Sequence, residues 1–468
     1  MKTTMSQLAD MCGGQLQGDA EAVWHGVVID SRKVYEGCLF VPIIGERADG
    51  HDFVAGVLSA GAAVSFWQHD HGTPPAGTII LVEDTLQALQ QLSRSYLNQT
   101  QPRVIGITGS NGKTTTKDMV EALLKQAYRV HKTQGNFNSH IGLPLTILDM
   151  PANTEVLILE MGMRARGEIE LLSNIARPHA VIITNIGESH LEQLGTREEI
   201  ARAKLEIVSG LQAGGLLIYN GDEPLLHQVL AEPKLKQRDM ATLTFGVEQQ
   251  NDLHVTGVMA QGRTTIFTTN DLPDDAWTLP LPGLHNVTNA LSAMAVARYF
   301  HVTDEQIRIG LSQLQLSGMR IEQLDGRQGS TLLNDAYNAS PSSMRAALDV
   351  LSSMKSHSRR IAVLGDMLEL GSEEQTYHEQ MGVYAAEHAD LLFTYGERGR
   401  FIAAGALRQM PSELVYSYTS KPELIQALLE TVQQGDVVLV KASRGMRLEE
   451  VIQALMPDSI SQAEALEE

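Results

Sequence analysis

A glycine-rich segment between an apolar strand pattern and a helix pattern constrains the fold more than any other feature. Residues 106–115 read Gly-Ile-Thr-Gly-Ser-Asn-Gly-Lys-Thr-Thr, and a helix pattern opens at Thr116. In such a loop, backbone N–H groups close on phosphate oxygens, the helix N-terminus adds a positive dipole, and the lysine reaches the terminal phosphates. The hydroxyl after the lysine is placed to bind Mg²⁺. The segment therefore predicts a strand–loop–helix unit that binds nucleotide phosphates.

This loop departs from the strict phosphate-binding pattern at one position. The pattern requires a glycine at position 107, where this chain has Ile107, while Gly106 and Gly109 stand nearby. The alternative is a plain glycine-rich connection, which the Gly-Lys-Thr-Thr sequence and the strand–loop–helix context disfavour. A kinase, an ATPase and a ligase all remain compatible with the loop alone.

The composition argues against several other classes. The chain has 468 residues with 36 Lys and Arg against 56 Asp and Glu, a formal net charge of −20. Proteins that bind nucleic acid or anionic membranes need clustered basic residues instead. Cys12 and Cys38 are too few for a disulfide scaffold or a tetrahedral zinc site. Because a signal-peptide core and an apolar run of about 20 residues are both missing, we expect a cytoplasmic protein with no membrane span.

Strand and helix patterns alternate along most of the chain, which is typical of parallel sheets with crossover helices. Polar residues at 93–103 predict a linker, residues 252–280 predict antiparallel strands or an insertion, and residues 316–318 predict a hinge between two alternating series. The predicted strands are 104–108, 156–160, 180–186, 216–220, 242–246, 331–334, 361–364, 391–395 and 437–440, with a helix pair at about 285–300 and 303–315.

The predicted fold class is α/β with three domains. A small α/β domain occupies residues 1–85, a central P-loop-type parallel sheet occupies 86–314, and a Rossmann-like domain occupies 315–468. Two polar residues follow strands of the central series, namely Glu160 and His190. Carboxyl ends of parallel strands border the ligand crevice, where a Mg²⁺ ion would lie. The alternatives are a solvated strand-end carboxylate and a structural histidine.

Several motifs in the same order along nearly the whole chain resemble the Mur ligases of peptidoglycan synthesis. They are 108–114, Glu-Met-Gly at 160–162, Asn-Ile-Gly at 185–187 with His190, Ala-Lys at 203–204, His-Asn-Val-Thr-Asn-Ala at 285–290, Gly-Met-Arg at 318–320 and Asp-Ala-Tyr-Asn-Ala-Ser-Pro at 335–341. Within the family, residues 136–144 and the Leu-Gly-Asp-Met-Leu-Glu-Leu-Gly segment at 364–371 are similar to the members that add D-alanyl-D-alanine.

Two other members of this superfamily fit less well. The diaminopimelate-adding ligases carry Asp-Asn-Pro-Arg in their C-terminal domain, and this tetrapeptide is absent from the sequence. Folylpolyglutamate synthase starts almost directly at its phosphate loop, whereas about 100 residues precede the loop here. Those residues resemble the family's uridine-nucleotide-binding domain.

The resemblance implies an ATP-dependent ligase that joins UDP-N-acetylmuramoyl-tripeptide to D-alanyl-D-alanine through an acyl phosphate. It implies ATP and two Mg²⁺ ions as cofactors, and a carbamylated lysine at Lys204. The implied catalytic residues are Lys113, Glu160, His190 and Lys204, of which the last three, with Thr114, would bind metal. The implied ATP-binding residues are Gly109, Ser110, Asn111, Gly112, Lys113, Thr114, Thr115, Asn286, Asn289, Arg320 and Asp335. The implied substrate-binding residues are Ser31, Arg32, Asp49, His51, Asn136, Asn138, Ser443 and Arg444.

Simpler interpretations of some of these residues remain open. Lys204 could form a salt bridge on a helix surface, and Asn286 and Asn289 could be a helix cap and a turn residue. The loop at 441–445 is a candidate for binding the carboxylate of the dipeptide, but it could be ordinary surface. The enzyme could add a different amino acid, or the loop could serve a nucleotide-dependent switch. The expected partners are small-molecule substrates, and a monomer is expected. The sequence leaves the third stem-peptide residue undetermined.

Overall fold

The computed structural model describes residues 3–261 and 263–457, in which three main sheets follow one another along the chain. Residues 1 and 468, the outer limits predicted for the first and third domains, lie outside the described residues. All three sheets are mixed or mainly parallel and are covered by helices, so the predicted α/β class is confirmed. Within the described ranges, the helices fall short of the length and apolarity that crossing a membrane requires.

The N-terminal sheet has five strands in the order β2-β7-β6-β5-β4, and a separate β1–β3 pair lies beside it. Trp24 and Phe66 are fully buried in an apolar cluster that continues into the central domain, and Phe40 is buried in a second cluster within this region. The elements of this region are β1 (Thr3–Thr4), α1 (Met5–Cys12), β2 (Gln15–Gln17), β3 (Val23–Trp24), β4 (Val27–Val28), β5 (Leu39–Phe40), α2 (Val54–Ser59), β6 (Val64–Gln68), β7 (Ile79–Val82) and α3 (Thr85–Thr100).

The central sheet has nine strands in the order β16-β15-β14-β13-β12-β11-β8-β10-β9, and β9 to β14 with β8 are parallel. Its strands are β8 (Arg103–Thr108), β9 (Val130–Lys132), β10 (Val156–Glu160), β11 (Ala180–Ile183), β12 (Gly215–Asn220), β13 (Met240–Gly246), β14 (Leu253–Gln261), β15 (Thr264–Thr269) and β16 (Leu272–Leu279). Its helices are α4 (Lys113–Leu124), α5 (Gly142–Asp149), α6 (Glu168–Ala176), α7 (Leu191–Leu194), α8 (Arg197–Leu205), α9 (Pro224–Leu230), α10 (Pro233–Lys236), α11 (Leu284–Tyr299) and α12 (Asp304–Ser312).

The C-terminal sheet has six strands in the order β17-β18-β22-β19-β20-β21, parallel except for β17. Its strands are β17 (Glu322–Asp325), β18 (Thr331–Asp335), β19 (Arg360–Gly365), β20 (Leu391–Tyr395), β21 (Val415–Tyr418) and β22 (Val437–Lys441). Its helices are α13 (Pro341–Ser353), α14 (Glu374–His388), α15 (Gly399–Ala406), α16 (Lys421–Thr431) and α17 (Glu449–Leu455). Helices cover both faces, which gives two buried clusters.

The predicted linker at 93–103 is wrong over most of its length. Residues up to Thr100 belong to α3, whose first turn is capped by Asp84 accepting from the backbone N–H of Gln87 at 2.7 Å. Leu92, Tyr96 and Leu97 of this helix are buried. Their spacing of about one turn keeps them on one face, so the polar residues between them form the outer face of an amphipathic helix.

The strand predicted at 180–186 is also shorter than expected, because β11 ends at Ile183. Thr184 and Asn185 instead bond to the phosphate loop, with the Asn185 carbonyl accepting from Ser110 N–H at 3.1 Å. The antiparallel strands expected at 252–280 are present as β14, β15 and β16.

Candidate active site

A cavity of about 820 Å³ lies between the carboxyl ends of the central parallel strands and the C-terminal domain. The four residues predicted to be catalytic all line it, namely Lys113, Glu160, His190 and Lys204. Four elements or loops supply them, so folding alone brings them together. The cavity is the natural candidate for the active site because ligands bind at this edge of α/β sheets.

The loop after β8 is shaped by two glycines in the left-handed region. Gly112, with φ of 78°, is the N-cap of α4, and a Cβ there would lie 2.7 Å from Asn289 Oδ1. Gly109 has φ of 152°, and a Cβ there would lie 1.8 Å from Thr184 Oγ1. Both positions therefore require glycine, and glycine lets the loop backbone approach an anion closely.

Lys113 is folded back onto this loop. Its Nζ donates to the carbonyl oxygens of Gly109 at 2.8 Å and Ser110 at 3.3 Å. Burial lowers the pKa of Lys113, the Glu160 carboxylate opposes that shift, and the Arg320 guanidinium adds to it. The Lys113 ammonium is thus bonded to two carbonyl oxygens. Phosphate oxygens could replace these two partners.

Glu160 ends β10 and is 3% exposed, so its carboxylate needs partners. Oε2 accepts from Thr114 Oγ1 at 2.9 Å, Oε1 accepts from Asn138 Nδ2 at 2.8 Å, and the backbone N–H donates to Thr133 Oγ1 at 3.0 Å. A hydroxyl and a carboxylate oxygen at this separation are ligand types that Mg²⁺ prefers. The donor set therefore fits a magnesium ion beside the phosphate loop.

Lys204 lies on α8 and is 2% exposed. Burial lowers the pKa of Lys204 well below its ordinary value, and the nearby positive charge of Lys113 lowers it further. Among the residues that the structure describes, no carboxylate pairs with its amine. The salt-bridge role on a helix surface is therefore wrong, because the side chain lines the cavity instead.

His190 follows β11 in a loop and contacts the C-terminal domain. Its Nδ1 lies 2.6 Å from Glu369 Oε2, although the ring N–H is not aligned well enough for a regular hydrogen bond. The His190 ring is the main cause that lowers the pKa of Glu369, and burial of the carboxylate opposes it.

The C-terminal domain supplies the opposite wall of the cavity. Arg320 Nη2 donates to Thr114 Oγ1 at 3.2 Å, and its guanidinium lies 4.0 Å from the ring centroid of Tyr337. Asp335 ends β18 and accepts from Lys441 Nζ at 2.5 Å. Burial lowers the pKa of Lys441, while Asp335 opposes that shift.

A second set of contacts joins the phosphate loop to the C-terminal domain. Asn111 Nδ2 donates to Ser342 Oγ at 2.9 Å, and Ser340 Oγ donates to Asn111 Oδ1 at 3.1 Å. Ser340 is also the N-cap of α13. The side chain of one loop residue therefore bonds to both sides of the start of α13, so the loop and the C-terminal domain are held together.

Three Mur ligase models match the chain in succession. They are the Mur ligase family catalytic domain at residues 23–97, the Mur ligase middle domain at 107–297 and the Mur ligase glutamate ligase domain at 319–444. A UDP-N-acetylmuramoyl-tripeptide–D-alanyl-D-alanine ligase from Bacillus subtilis (strain 168) is 48% identical over 465 residues, which are 98% of this chain and 100% of that protein. The chain belongs to the Mur ligase family.

Solved Mur ligase structures have the same architecture. MurF from Acinetobacter baumannii matches with a TM-score of 0.86 at 29% identity, over 97% of this chain and 98% of that one. The MurF ligase from Thermotoga maritima in complex with ADP matches with a TM-score of 0.80 at 30% identity, over 92% and 96% of the two chains. The family resemblance predicted from the motifs is confirmed.

Most of the ATP-binding residues predicted for this Mur ligase line the cavity. They are Ser110, Asn111, Gly112, Lys113, Thr114, Thr115, Asn286, Asn289, Arg320 and Asp335, joined by Asn136 and Asn138 of the predicted substrate set. Gly109 does not line it, but shapes the loop beside Thr184. Asn286 and Asn289 lie in the first two turns of α11, where Asn286 Nδ2 donates to the Pro282 carbonyl at 2.7 Å.

The other predicted substrate residues of the Mur ligase do not line this cavity. In the N-terminal region, Arg32 pairs with Asp30, and the Nδ1 of buried His51 lies 2.7 Å from Asp49 Oδ1. Ser31 begins a short 3₁₀ turn next to Arg32. These four predicted residues therefore stand apart from the phosphate loop, and their role stays a prediction.

Two predicted residues after β22 are engaged in local contacts. Ser443 Oγ accepts from Leu368 N–H at 2.9 Å and donates to the Ala339 carbonyl at 3.3 Å. Arg444 Nη1 lies 3.0 Å from Glu449 Oε1, and its guanidinium lies 5.8 Å from the Tyr337 ring centroid. Their predicted contact with the dipeptide also stays a prediction.

Other cavity residues were missed by the sequence reasoning. Among them are Arg164, Thr184, Asn220, Tyr337 and Ser342, while Lys441, which also lines the cavity, was predicted without a role of its own. Lys441 could have been found by the rule that found Glu160, because it ends the parallel strand β22 directly opposite Asp335 on β18. The sequence prediction included it only as part of the loop at 441–445.

Proposed function

We propose that this chain joins D-alanyl-D-alanine to UDP-N-acetylmuramoyl-tripeptide, with conversion of ATP to ADP and phosphate. The observation that carries the proposal is the single cavity in which a phosphate loop, an oxygen-ligand pair at Glu160 and Thr114, and Arg320 of the C-terminal domain meet. The 48% identical Bacillus subtilis relative is a UDP-N-acetylmuramoyl-tripeptide–D-alanyl-D-alanine ligase by name, which supports the same substrates.

The chemistry requires activation because a carboxylate is a poor electrophile. The terminal carboxylate of the tripeptide attacks the γ-phosphorus of ATP, and ADP leaves. The amine of D-alanyl-D-alanine then attacks the resulting acyl phosphate, the tetrahedral intermediate expels phosphate, and the amine loses one proton. Each of these species is anionic, so the site needs cations and N–H donors.

The cations of the cavity are placed for this need. Lys113 exchanges its loop carbonyl partners for phosphate oxygens, and Arg320 approaches the same place from the C-terminal domain. Contacts across the two domains, such as those of Asn111 with Ser340 and Ser342, hold the C-terminal domain against the phosphate loop. Exclusion of water protects an acyl phosphate from hydrolysis.

Thr114 and Glu160 would hold a first Mg²⁺ ion, and His190 with Lys204 would contribute to a second. Bound Mg²⁺ supplies charge neutralisation at phosphate and carboxylate oxygens. A histidine alone is a weak anchor for a hard dication. An additional oxygen donor at this place would strengthen the second site.

Lys204 supplies that donor if its amine reacts with CO₂. Reaction requires the neutral amine, and burial beside Lys113 favours that form. The nitrogen lone pair forms a bond to the carbon of CO₂ while one C=O π pair moves onto its oxygen, and one N–H proton leaves to solvent, which gives a carbamate anion. We propose this modification because it converts an unpaired buried amine into an oxygen ligand.

The remaining roles complete the proposal. Asn286 and Asn289 would bind the adenine side of ATP and Asp335 the ribose, since all three line the cavity. The N-terminal region at 1–85, with Ser31, Arg32, Asp49 and His51, would bind the uridine nucleotide.

Residues Ser443 and Arg444 would bind the dipeptide carboxylate. ATP and UDP-linked sugars are cytoplasmic metabolites, so the reaction would take place there, with the chain as a monomer.

The test is ATP turnover with UDP-N-acetylmuramoyl-tripeptide, measured with and without D-alanyl-D-alanine. We expect ADP formation and the amide product only when both substrates are present. Lys113→Ala is the control, and it should retain less than about a tenth of wild-type turnover because loss of one such contact removes a few kcal/mol of transition-state stabilisation.

Three outcomes would contradict the proposal or one of its parts. Product formation with a single amino acid instead of the dipeptide would identify a different amino-acid-adding ligase. ATP hydrolysis that is independent of the UDP substrate would indicate a nucleotide-dependent switch. A chain that lacks residues 1–85 and still binds the UDP-tripeptide with unchanged affinity would contradict the role given to the N-terminal region.

A further inference from the structure

The segment 364–371 reaches out of the C-terminal sheet and contacts the loop that carries His190. Its residue Glu369 has φ of 63°, and Gly371 has φ of 69°, so the backbone turns sharply here. The Glu369 carbonyl accepts from the backbone N–H of Glu192 at 3.2 Å, and its carboxylate lies 2.6 Å from His190 Nδ1. Two separate contacts thus join this segment to the central domain at His190.

His190 lines the cavity, whereas Glu369 is not among the lining residues. The His190 Nδ1 atom is buried. The carboxylate therefore contacts the imidazole at the nitrogen that is closed to solvent, which leaves Nε2 as the nitrogen available to the cavity.

A carboxylate beside one ring nitrogen selects the tautomer of a neutral imidazole. It favours the proton on the nearer nitrogen, here Nδ1, so the lone pair is on Nε2. Metal-binding histidines generally have such a partner for the second nitrogen, which also fixes the ring orientation. The positive φ of His190, 67°, is a backbone geometry that such contacts help to hold.

We propose that Glu369 is a positioning residue that holds His190 as an Nε2 ligand for a divalent cation. The inference rests on the proposed function only in taking His190 as a metal ligand. Because Glu369 follows β19 and His190 follows β11, the cation site is complete only when the C-terminal domain contacts the central one. Domain contact and cation binding are therefore coupled.

The opposite role for the same contact makes a different prediction. Glu369 could instead form an ion pair with a protonated His190, which has no lone pair for a cation. In that case, removal of the carboxylate would strengthen cation binding. Removal should weaken binding if Glu369 positions the ring. The sign of the change in affinity separates the two.

The experiment uses Mn²⁺ as the probe on the full chain with a non-hydrolysable ATP analogue. Water-proton relaxation gives the Mn²⁺ affinity, and pulsed EPR detects nitrogen modulation from a histidine-bound Mn²⁺ ion. We expect Glu369→Ala to bind the histidine-linked Mn²⁺ about 10–100-fold more weakly and to lose the modulation. Glu369→Gln should lose less, since its amide oxygen can still lie against the same ring nitrogen.

Glu373→Gln is the matched control, because Glu373 is an exposed carboxylate four residues away. It should leave both readouts unchanged. Unchanged or tighter Mn²⁺ binding in Glu369→Ala and Glu369→Gln, with modulation that His190→Ala abolishes, would overturn this inference alone. A wild-type spectrum whose modulation is indifferent to His190→Ala would overturn the metal role of His190 and this inference together.

Discussion

Two buried lysines line the same cavity from opposite domains, and their surroundings differ. Lys204 on α8 belongs to the central domain, and Lys441 at the end of β22 belongs to the C-terminal domain. Each is 2% exposed. Lys441 donates to Asp335 Oδ2 at 2.5 Å and to the Asn338 carbonyl at 2.9 Å. Lys204 pairs with no carboxylate among the described residues and faces the positive charge of Lys113.

Burial and pairing have separate consequences for the two amines. Burial lowers the pKa of both amines, but only Lys441 has an anion that opposes the shift. A paired lysine serves as a structural cation, because its charge compensates a buried carboxylate. An unpaired buried lysine loses its proton more readily, and the neutral amine is the nucleophilic form. In the C-terminal wall of the cavity, the lysine charge is compensated by a carboxylate. In the central wall, the lysine amine has no such partner.

The largest expected effect is on stability and concerns the ion pair of Lys441 with Asp335. Lys441→Met should destabilise the C-terminal domain by about 3–5 kcal/mol, because it leaves the buried Asp335 carboxylate without its cation. Hydrogen exchange of the amides of β22 during a urea titration measures this loss. Lys204→Met is the matched control, and the central domain should lose far less stability because no ion pair is broken.

The double variant Asp335→Asn with Lys441→Met sharpens this point. It should recover most of the lost stability, since no uncompensated charge remains. If Lys441→Met and Lys204→Met destabilise their domains equally, the distinction between the paired and the unpaired lysine fails.

The next effect concerns catalysis by Lys204. Lys204→Ala should lower turnover about 10²–10³-fold, the usual loss when one preorganised electrostatic contact is removed. A short carboxylate at millimolar concentration should restore part of the activity, because it places an oxygen anion in the vacated space. Steady-state turnover with and without acetate or bicarbonate measures both changes.

Lys441→Met provides the contrast. Acetate should restore none of the activity that this variant loses, since the group that was removed is a cation. Full activity in Lys204→Ala would contradict the metal role of this residue. Equal rescue of both variants would show that the carboxylate acts elsewhere.

The smallest expected effect is a pH dependence of stability. In CO₂-free buffer, the folded chain holds Lys204 neutral above its lowered pKa, whereas the unfolded chain binds one more proton up to the ordinary value of 10.5. Stability relative to Lys204→Met should therefore rise with pH in this window, by about 1.4 kcal/mol per pH unit. Unfolding of both proteins at several pH values checks this slope. A difference in stability that does not change with pH would mean that Lys204 keeps its proton.

The sequence could predict much of the site because strand ends are local features. Glu160 ends β10, His190 follows β11, and the loop with Lys113 follows β8, so one rule about parallel sheets places all three at one edge. The linker prediction failed because polar residues such as Asn98 and Gln99 stand beside the buried Tyr96 and Leu97. The polar residues made the segment resemble a loop, although its buried residues recur with the period of a helix.

The contacts between domains could not be predicted from the sequence. Glu369 is far from His190 along the chain, and their contact depends on how two separately folded sheets meet. The bonds of Asn111 to Ser340 and Ser342 have the same origin. Burial of Lys204 likewise depends on packing around α8, since its local sequence is rich in charges and suits an exposed helix.

The most direct test of the contrast between the two lysines uses ¹³C-labelled CO₂. Carbon NMR of the full chain in labelled bicarbonate detects a carbamate carbonyl, and chemical trapping of the adduct followed by peptide mass spectrometry locates it. We predict one protected carbamate signal in the wild type that is kept in Lys441→Met and lost in Lys204→Met. A signal that survives in Lys204→Met and vanishes in Lys441→Met would contradict the account, as would a wild-type protein without any protected carbamate.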